Sequence, residues 1–161
     1  MPDLLAKAWD LDWSKAVEKL TGARDLYVIG RGVGFGAAQE AALILKETCG
    51  LHAEAFSAAE VRHGPMALAK EGFPAFVLSQ DDETRAGVKD LVDALAASRA
   101  DILLAGFDDP RATNLPSLVA NPALQPILLL QTFYRMAEQL SRARGMNPDC
   151  PPHLNKVTET I

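Results

Sequence analysis

Cysteine is scarce in this 161-residue chain, and the two present, Cys49 and Cys150, form neither a CxxC pair nor a disulfide framework. That usage suits a reducing, cytoplasmic setting. Histidine is equally sparse: His52, His63 and His153 are too scattered to mark a metal site. No apolar run approaches the ~18 residues of a membrane span, and the longest candidate, Pro126 to Gln131, is about a third of that. Near the N-terminus Trp9, Asp10, Asp12 and Trp13 interrupt any apolar core, so no signal peptide is expected. Basic clustering is missing too. The 16 Lys and Arg are outnumbered by 21 Asp and Glu, and nothing is denser than Arg142 with Arg144, which argues against broad nucleic-acid binding. There is no internal repeat and no low-complexity stretch. What remains is ordinary globular material, 48% hydrophobic and 23% charged, which excludes wholesale disorder and suits one domain.

The pattern alternates between strands and helices. Leu4, Leu5, Ala8, Trp9, Trp13, Ala16, Val17 and Leu20 recur at helical spacing, so the first twenty residues read as one helix closed by Gly22. Leu26-Tyr27-Val28-Ile29 reads as a buried strand, followed by the glycine-rich turn Gly30 to Gly36. A helix is expected from Ala37 to Cys49, stopped by Gly50. Strands are expected at His52 to Phe56, Phe73 to Ser79 and Asp101 to Gly106, with a short last strand at Leu118-Val119-Ala120. Helices are expected from Asp82 to Ser98 and from Pro122 to Arg144. Ala58 to Leu68 is partly helical but broken at Gly64-Pro65. Such alternation predicts a five-stranded parallel sheet in a doubly wound, flavodoxin-like α/β/α sandwich. Ligands of such a sheet gather at the carboxyl ends of its strands.

Two features carry candidate chemistry. Backbone N–H groups of the Gly30–Gly36 turn suit an anion, and Gly32-x-Gly34-x-x-Ala37 with Glu54 downstream satisfies a loose dinucleotide fingerprint. The same glycines equally permit a tight strand-to-helix turn and nothing more. The second feature runs EAALILKETCGLHAEAFSAAEVRHGP from Glu40 to Pro65. Glu40 and Glu47 are seven apart and share a helix face. His63 stands beside the rigid Gly64-Pro65 bend. Carboxylates and an imidazole near the ligand edge of a sheet suit proton transfer, although a solvated helical glutamate and a surface histidine would look the same. Trp9 and Trp13, four apart, are expected to pack on the sheet or a partner, and Phe133-Tyr134 to lie in the core.

Gly30-Arg31-Gly32, the run from Glu40 through His63-Gly64-Pro65, and the tail Leu154-Asn155-Lys156-Val157-Thr158 together resemble a sugar isomerase (SIS) domain. The resemblance is to the second of two SIS modules in the glucosamine-6-phosphate synthase family and its deaminase and isomerase relatives. It covers about Leu26 to Thr158. It implies one SIS domain over residues 1–161, with an N-terminal helix over 1–22 and a tail over 146–161, forming the C-terminal half of a two-module enzyme. It further implies aldose–ketose isomerisation of hexose or hexosamine 6-phosphates, a homodimer with shared active sites, and a first SIS module upstream. No cofactor or metal is called for.

Residue by residue, the resemblance implies that Glu47 shuttles a proton between C1 and C2 of the open-chain sugar. His63 would open the sugar ring in a neighbouring subunit's site. Lys156 would approach the C2 carbonyl, and Glu40, Gly30, Arg31 and Gly32 would bind substrate. The residue types fit: one carboxylate can remove and return a proton, imidazole exchanges protons near neutrality, and a lysine can stabilise an enolate or act covalently. Two departures narrow the reading. Ile44 stands where the synthases carry a lysine three residues before the shuttling carboxylate, which favours a deaminase or isomerase. There is no serine-rich phosphate loop, since Ser57 and Ser79 stand alone. The competing classes are a non-catalytic sugar-phosphate sensor and a dinucleotide-binding subdomain.

Overall fold

The computed structural model describes residues 1–152. Three strands are almost wholly buried and read as unbroken apolar runs: β1 (Asp25–Gly30), β3 (Pro74–Leu78) and β4 (Asp101–Ala105). Burial on both faces requires that pattern. They pair in parallel, flanked by β2 (His52–Ser57) beside β1 and the short β5 (Thr113–Leu115) beside β4, giving the order β2-β1-β3-β4-β5. This is the doubly wound order expected, with the switch point between β1 and β3.

Alternation along each strand separates two cores. Leu26, Val28, Phe76, Leu78, Leu103 and Ala105 point to one face of the sheet. There they meet α2 (Ser14–Thr21), α3 (Phe35–Cys49) and α5 (Gln125–Ala143). Tyr27, Ile29, Ala75, Val77, Ile102 and Leu104 point to the other, which is covered by α4 (Arg85–Ala97) and by Ala58, Val61 and Ala69. Arg144 ties the first layer together. Its guanidinium donates to the carbonyls of Cys49 at 2.7 Å, Thr21 at 2.8 Å and Ala23 at 2.8 Å, groups that the ends of α2 and α3 leave without helical partners.

The structure corrects the sequence reading in three places. The first twenty residues form two helices, α1 (Pro2–Trp9) and α2. The break comes at Asp12, whose carboxylate accepts the N–H of Ser14 at 2.9 Å and its hydroxyl at 3.1 Å, a local alternative to helical bonding. The break turns Trp13 into the core, edge-on to Phe76 with Nε1 donating to the carbonyl of Pro116 at 2.8 Å, and leaves Trp9 largely exposed. The last strand is Thr113–Leu115 rather than Leu118 to Ala120. Asn114 fixes it by exchanging hydrogen bonds of 3.0 Å with the Asp109 backbone, and Pro116, lacking an N–H, ends the ladder. Finally, α4 starts at Arg85 because Asp82 accepts the N–H of Thr84 at 2.9 Å. No helix among the described residues is long and apolar enough to cross a membrane.

Gly106, where the chain leaves β4, has φ of 118°, and a β-carbon there would lie 1.9 Å from the carbonyl oxygen of Ser79. Gly106→Ala therefore combines backbone strain with a clash against main chain. We expect a loss of about 3 kcal/mol, read as a lower urea midpoint with an unchanged slope. An unaltered midpoint would show that the turn relaxes freely.

Candidate functional site

At the switch point the turn after β1 meets the turn after β3. Gln80, nearly wholly buried, joins them: its Nε2 donates to the Arg31 carbonyl at 2.8 Å, to Asp82 Oδ2 at 2.8 Å and to Thr84 Oγ1 at 3.2 Å. A β-carbon on Gly34 would sit 2.3 Å from Gln80 Oε1. The close approach that Gly34 permits is thus taken by the protein's own side chain. Gly30, Arg31 and Gly32 are brought together here, and the Arg31 guanidinium lies against Gly87 of α4.

The turn leading into α4 is acidic: Asp81, Asp82 and Glu83. Asp81 pairs with Arg85 at 2.7 Å. Burial pushes the Asp82 carboxyl upward, but hydrogen bonds from Thr84 and Gln80, with Arg85 nearby, outweigh it and leave Asp82 below the usual carboxylate range. Ser79 is buried, its hydroxyl turned to the Gln80 carbonyl at 3.3 Å. A turn that places its own carboxylates at a helix start does not suit a phosphate, because like charge cancels the attraction of the N–H groups.

Glu40 and Glu47 lie half-buried on the outer side of α3, about 10 Å apart along its axis. The hydroxyl of Tyr134 on α5 donates to Glu40 Oε1 at 2.9 Å. Burial first, then the Glu40 carboxylate, raises the Tyr134 pKa and keeps the phenol a donor. Tyr134 is therefore not a core residue as the sequence suggested. Phe133 takes the inward position, and the next residue on a helix points about 100° away. The Tyr134–Glu40 pair was missed for that reason. Glu47 makes no hydrogen bond or ion pair among the described residues. Leu43, Ile127 and Tyr134 are each at least two-fifths exposed on these two helices, so the carboxylates sit in an uncovered, partly apolar surface.

His63 ends a short 3₁₀ turn, Val61–His63, and is exposed. Its turn is rooted by Val61 in the core shared with α4, whereas α3 roots in the opposite core. Glu47 and His63 therefore lie over opposite faces of the sheet, and one chain does not bring them together. Lys156 lies outside the described residues. Cavities of about 510 Å³, lined by Phe107, Asp108, Asn114 and Ser117 among others, and about 420 Å³, lined by Lys15, Lys19 and Thr113 among others, flank β5 rather than α3. Among the described residues no group of three or more His, Cys, Asp or Glu is arranged to hold a metal ion.

A family model described as SIS domain matches residues 19–108. The glutamine–fructose-6-phosphate aminotransferase (isomerizing) of Aeropyrum pernix is 36% identical over 149 residues, covering 89% of this chain and 24% of that protein. The chain thus spans about a quarter of the length of such curated relatives. Among solved structures, a candidate phosphosugar isomerase from Silicibacter pomeroyi is 35% identical with a TM-score of 0.84, covering 92% of this chain and 46% of that one. The glucosamine-6-phosphate deaminase of Thermotoga maritima is 26% identical with a TM-score of 0.69, covering 96% of this chain and 46% of that one.

In the loop between β4 and β5, Arg111 donates to Asp109 at 2.7 and 2.8 Å and also pairs with Asp93 of α4. Those hydrogen bonds from Arg111 hold the Asp109 carboxyl down at about 2. A carboxyl depressed below its unfolded value of about 3.9 stabilises the fold fully above that pH and loses the contribution as pH falls toward 2. Asp109→Asn should therefore lower stability at pH 6 and flatten its decline between pH 4 and pH 2, followed as urea midpoints across that range. Parallel declines in both proteins would remove Asp109 from the acid limb.

Proposed function

The chain belongs to the SIS domain family, and we propose that it is one module of a two-module phosphosugar isomerase acting on hexose or hexosamine 6-phosphates. The observation that carries this is the pair of carboxylates on α3, with Glu40 held by Tyr134 and Glu47 without a hydrogen bond or ion pair among the described residues, in a chain 36% identical to an isomerizing aminotransferase. Glu47 removes the proton from C2 of the open-chain aldose and returns it to C1, giving the ketose. Glu40, oriented by the Tyr134 hydroxyl, accepts substrate hydroxyls. Lys156 approaches the C2 carbonyl and stabilises the enediolate electrostatically.

Two features support a shared site. His63 stands on the face away from Glu47, so its ring-opening role belongs to the site of another copy, which makes the working unit at least a dimer. The acidic turn at Asp81–Glu83 leaves the substrate's phosphate to be held elsewhere, which the upstream module would do. The lengths of the relatives agree with a missing half, since the solved chains extend to about twice this one. Ile44 in place of the synthases' lysine favours deamination or plain isomerisation over glutamine-dependent transfer.

Glu47→Gln in the full-length protein is expected to cut conversion of glucosamine 6-phosphate and water to fructose 6-phosphate and ammonia by 100-fold or more, roughly the size of a general-base contribution. Circular dichroism and melting temperature should not change, because the side chain makes no described bond. A near-normal rate would remove Glu47 from the reaction.

A further inference from the structure

The segment that carries His63 has little structure of its own. After β2 it runs through two single 3₁₀ turns, Val61–His63 and Pro65–Ala67, held by short-range bonds such as His63 N–H to the Glu60 carbonyl at 2.9 Å and Ala67 N–H to the Gly64 carbonyl at 2.9 Å. Isolated turns of this kind are weak, so their position depends on longer-range ties. Among the described residues the segment's start is tied by Ala58 N–H to the Gly30 carbonyl at 2.9 Å, and two hydrogen bonds tie the turns themselves. Arg62 reaches the Asp90 carbonyl at 3.3 Å from an exposed position. Tyr27, in the middle of β1 and 3% exposed, donates its hydroxyl to the Pro65 carbonyl at 3.0 Å.

The Tyr27 bond is the stronger constraint. Pro65 has no N–H, so its carbonyl is its sole main-chain hydrogen-bonding group; Leu68 N–H reaches it locally at 3.0 Å, and Tyr27 is the donor that ties it to the sheet. The phenol itself cannot drift, since its ring meets Phe56 edge-on at 4.9 Å and Phe73 at 4.7 Å, and the ring belongs to the core shared with α4. Burial, then the charges of Glu54 and Asp25, raise the Tyr27 pKa, so the hydroxyl keeps its proton and remains a donor. The bond lands two residues from an imidazole that faces outward from the module. A group delivered to another copy's site from an exposed turn needs a fixed base, because displacement by about 1 Å at a reacting centre costs on the order of 100-fold in rate.

We infer that Tyr27 is a positioning residue: its hydroxyl, seated between Phe56 and Phe73, fixes the His63-Gly64-Pro65 turn on the sheet and thereby sets where the imidazole stands. The inference rests on the reading of His63 given above. The test is Tyr27→Phe in the full-length protein, which keeps the ring and removes only the O–H. Amides of residues 66–69 should exchange with deuterium at least 10-fold faster, while those of β3 and β4 keep their protection. Turnover from glucosamine 6-phosphate should fall about 10-fold in kcat at unchanged KM, and the same change added to His63→Asn should cost nothing further. Unchanged exchange over 66–69, or a full additional loss in the His63→Asn background, would overturn the positioning role. Normal turnover in His63→Asn alone would instead sink the reading of His63 itself, with the exchange experiment still reporting separately on what holds the turn.

Discussion

A β-sheet is a wall that side chains do not cross, and in this protein that wall decides what can be near what. Successive residues of β1 and β3 alternate between two cores, Leu26 and Val28 toward α3 and α5, Tyr27 and Ile29 toward α4. Every element must then choose a face. The helix after β1 chooses one and takes Glu40 and Glu47 with it. The segment after β2 chooses the other and takes His63. The separation follows from the face that the segment after β2 crosses, which roots Val61 in one core while α3 roots in the other. A catalytic reading that uses both groups is therefore a reading about assemblies.

The switch point shows the same economy. Where an open α/β sheet ordinarily receives its ligand, this chain has filled the space with its own hydrogen bonds. Gln80 spans from the Arg31 carbonyl to Asp82 and Thr84, and Asp82 occupies the start of α4. A buried amide whose nitrogen is shared among the Arg31 carbonyl, Asp82 and Thr84 is a strut between the two turns, and it takes the space an anion would need. Glu40 and Glu47 stand apart from this filled edge, on the outer side of α3.

Much of the fold was legible because each strand and helix is locally consistent. The runs LYVI and ILLA admit little except buried strands, and the doubly wound order follows from strands that alternate with helices. The failures are all cases in which one polar side chain outcompetes periodicity. Asp12 splits a helix whose apolar spacing continues straight through the break. Asp82 delays α4, and Asn114 gathers a strand out of Thr-Asn-Leu, a sequence with little β character, while the more apolar Leu118-Val119-Ala120 stays out of the sheet. Of the proposed site, Glu40, Glu47 and the His63 bend could be named from the sequence. The opposition of their faces could not, because it depends on which way the segment after β2 returns. Tyr134 was hidden by its neighbour: Phe133-Tyr134 looks like one apolar step, and only the helix turn between them sends one inward and the other to Glu40.

The position of Glu47 on α3 has an energetic consequence for the proposed chemistry. Carboxylates on a helix are held by a stiff element, which fixes their spacing and direction better than a loop would. On an open helical surface, however, water screens every interaction they make, and a proton shuttle gains little from geometry alone. Covering that surface changes both terms at once: apolar Leu43 and Ile127 leave water, which favours association, and the carboxylates then act in a medium where charge interactions are stronger. In the proposed enzyme, association and activation would in this way draw on one surface, and a chain standing alone would keep the spacing of Glu40 and Glu47 without the environment that makes it effective.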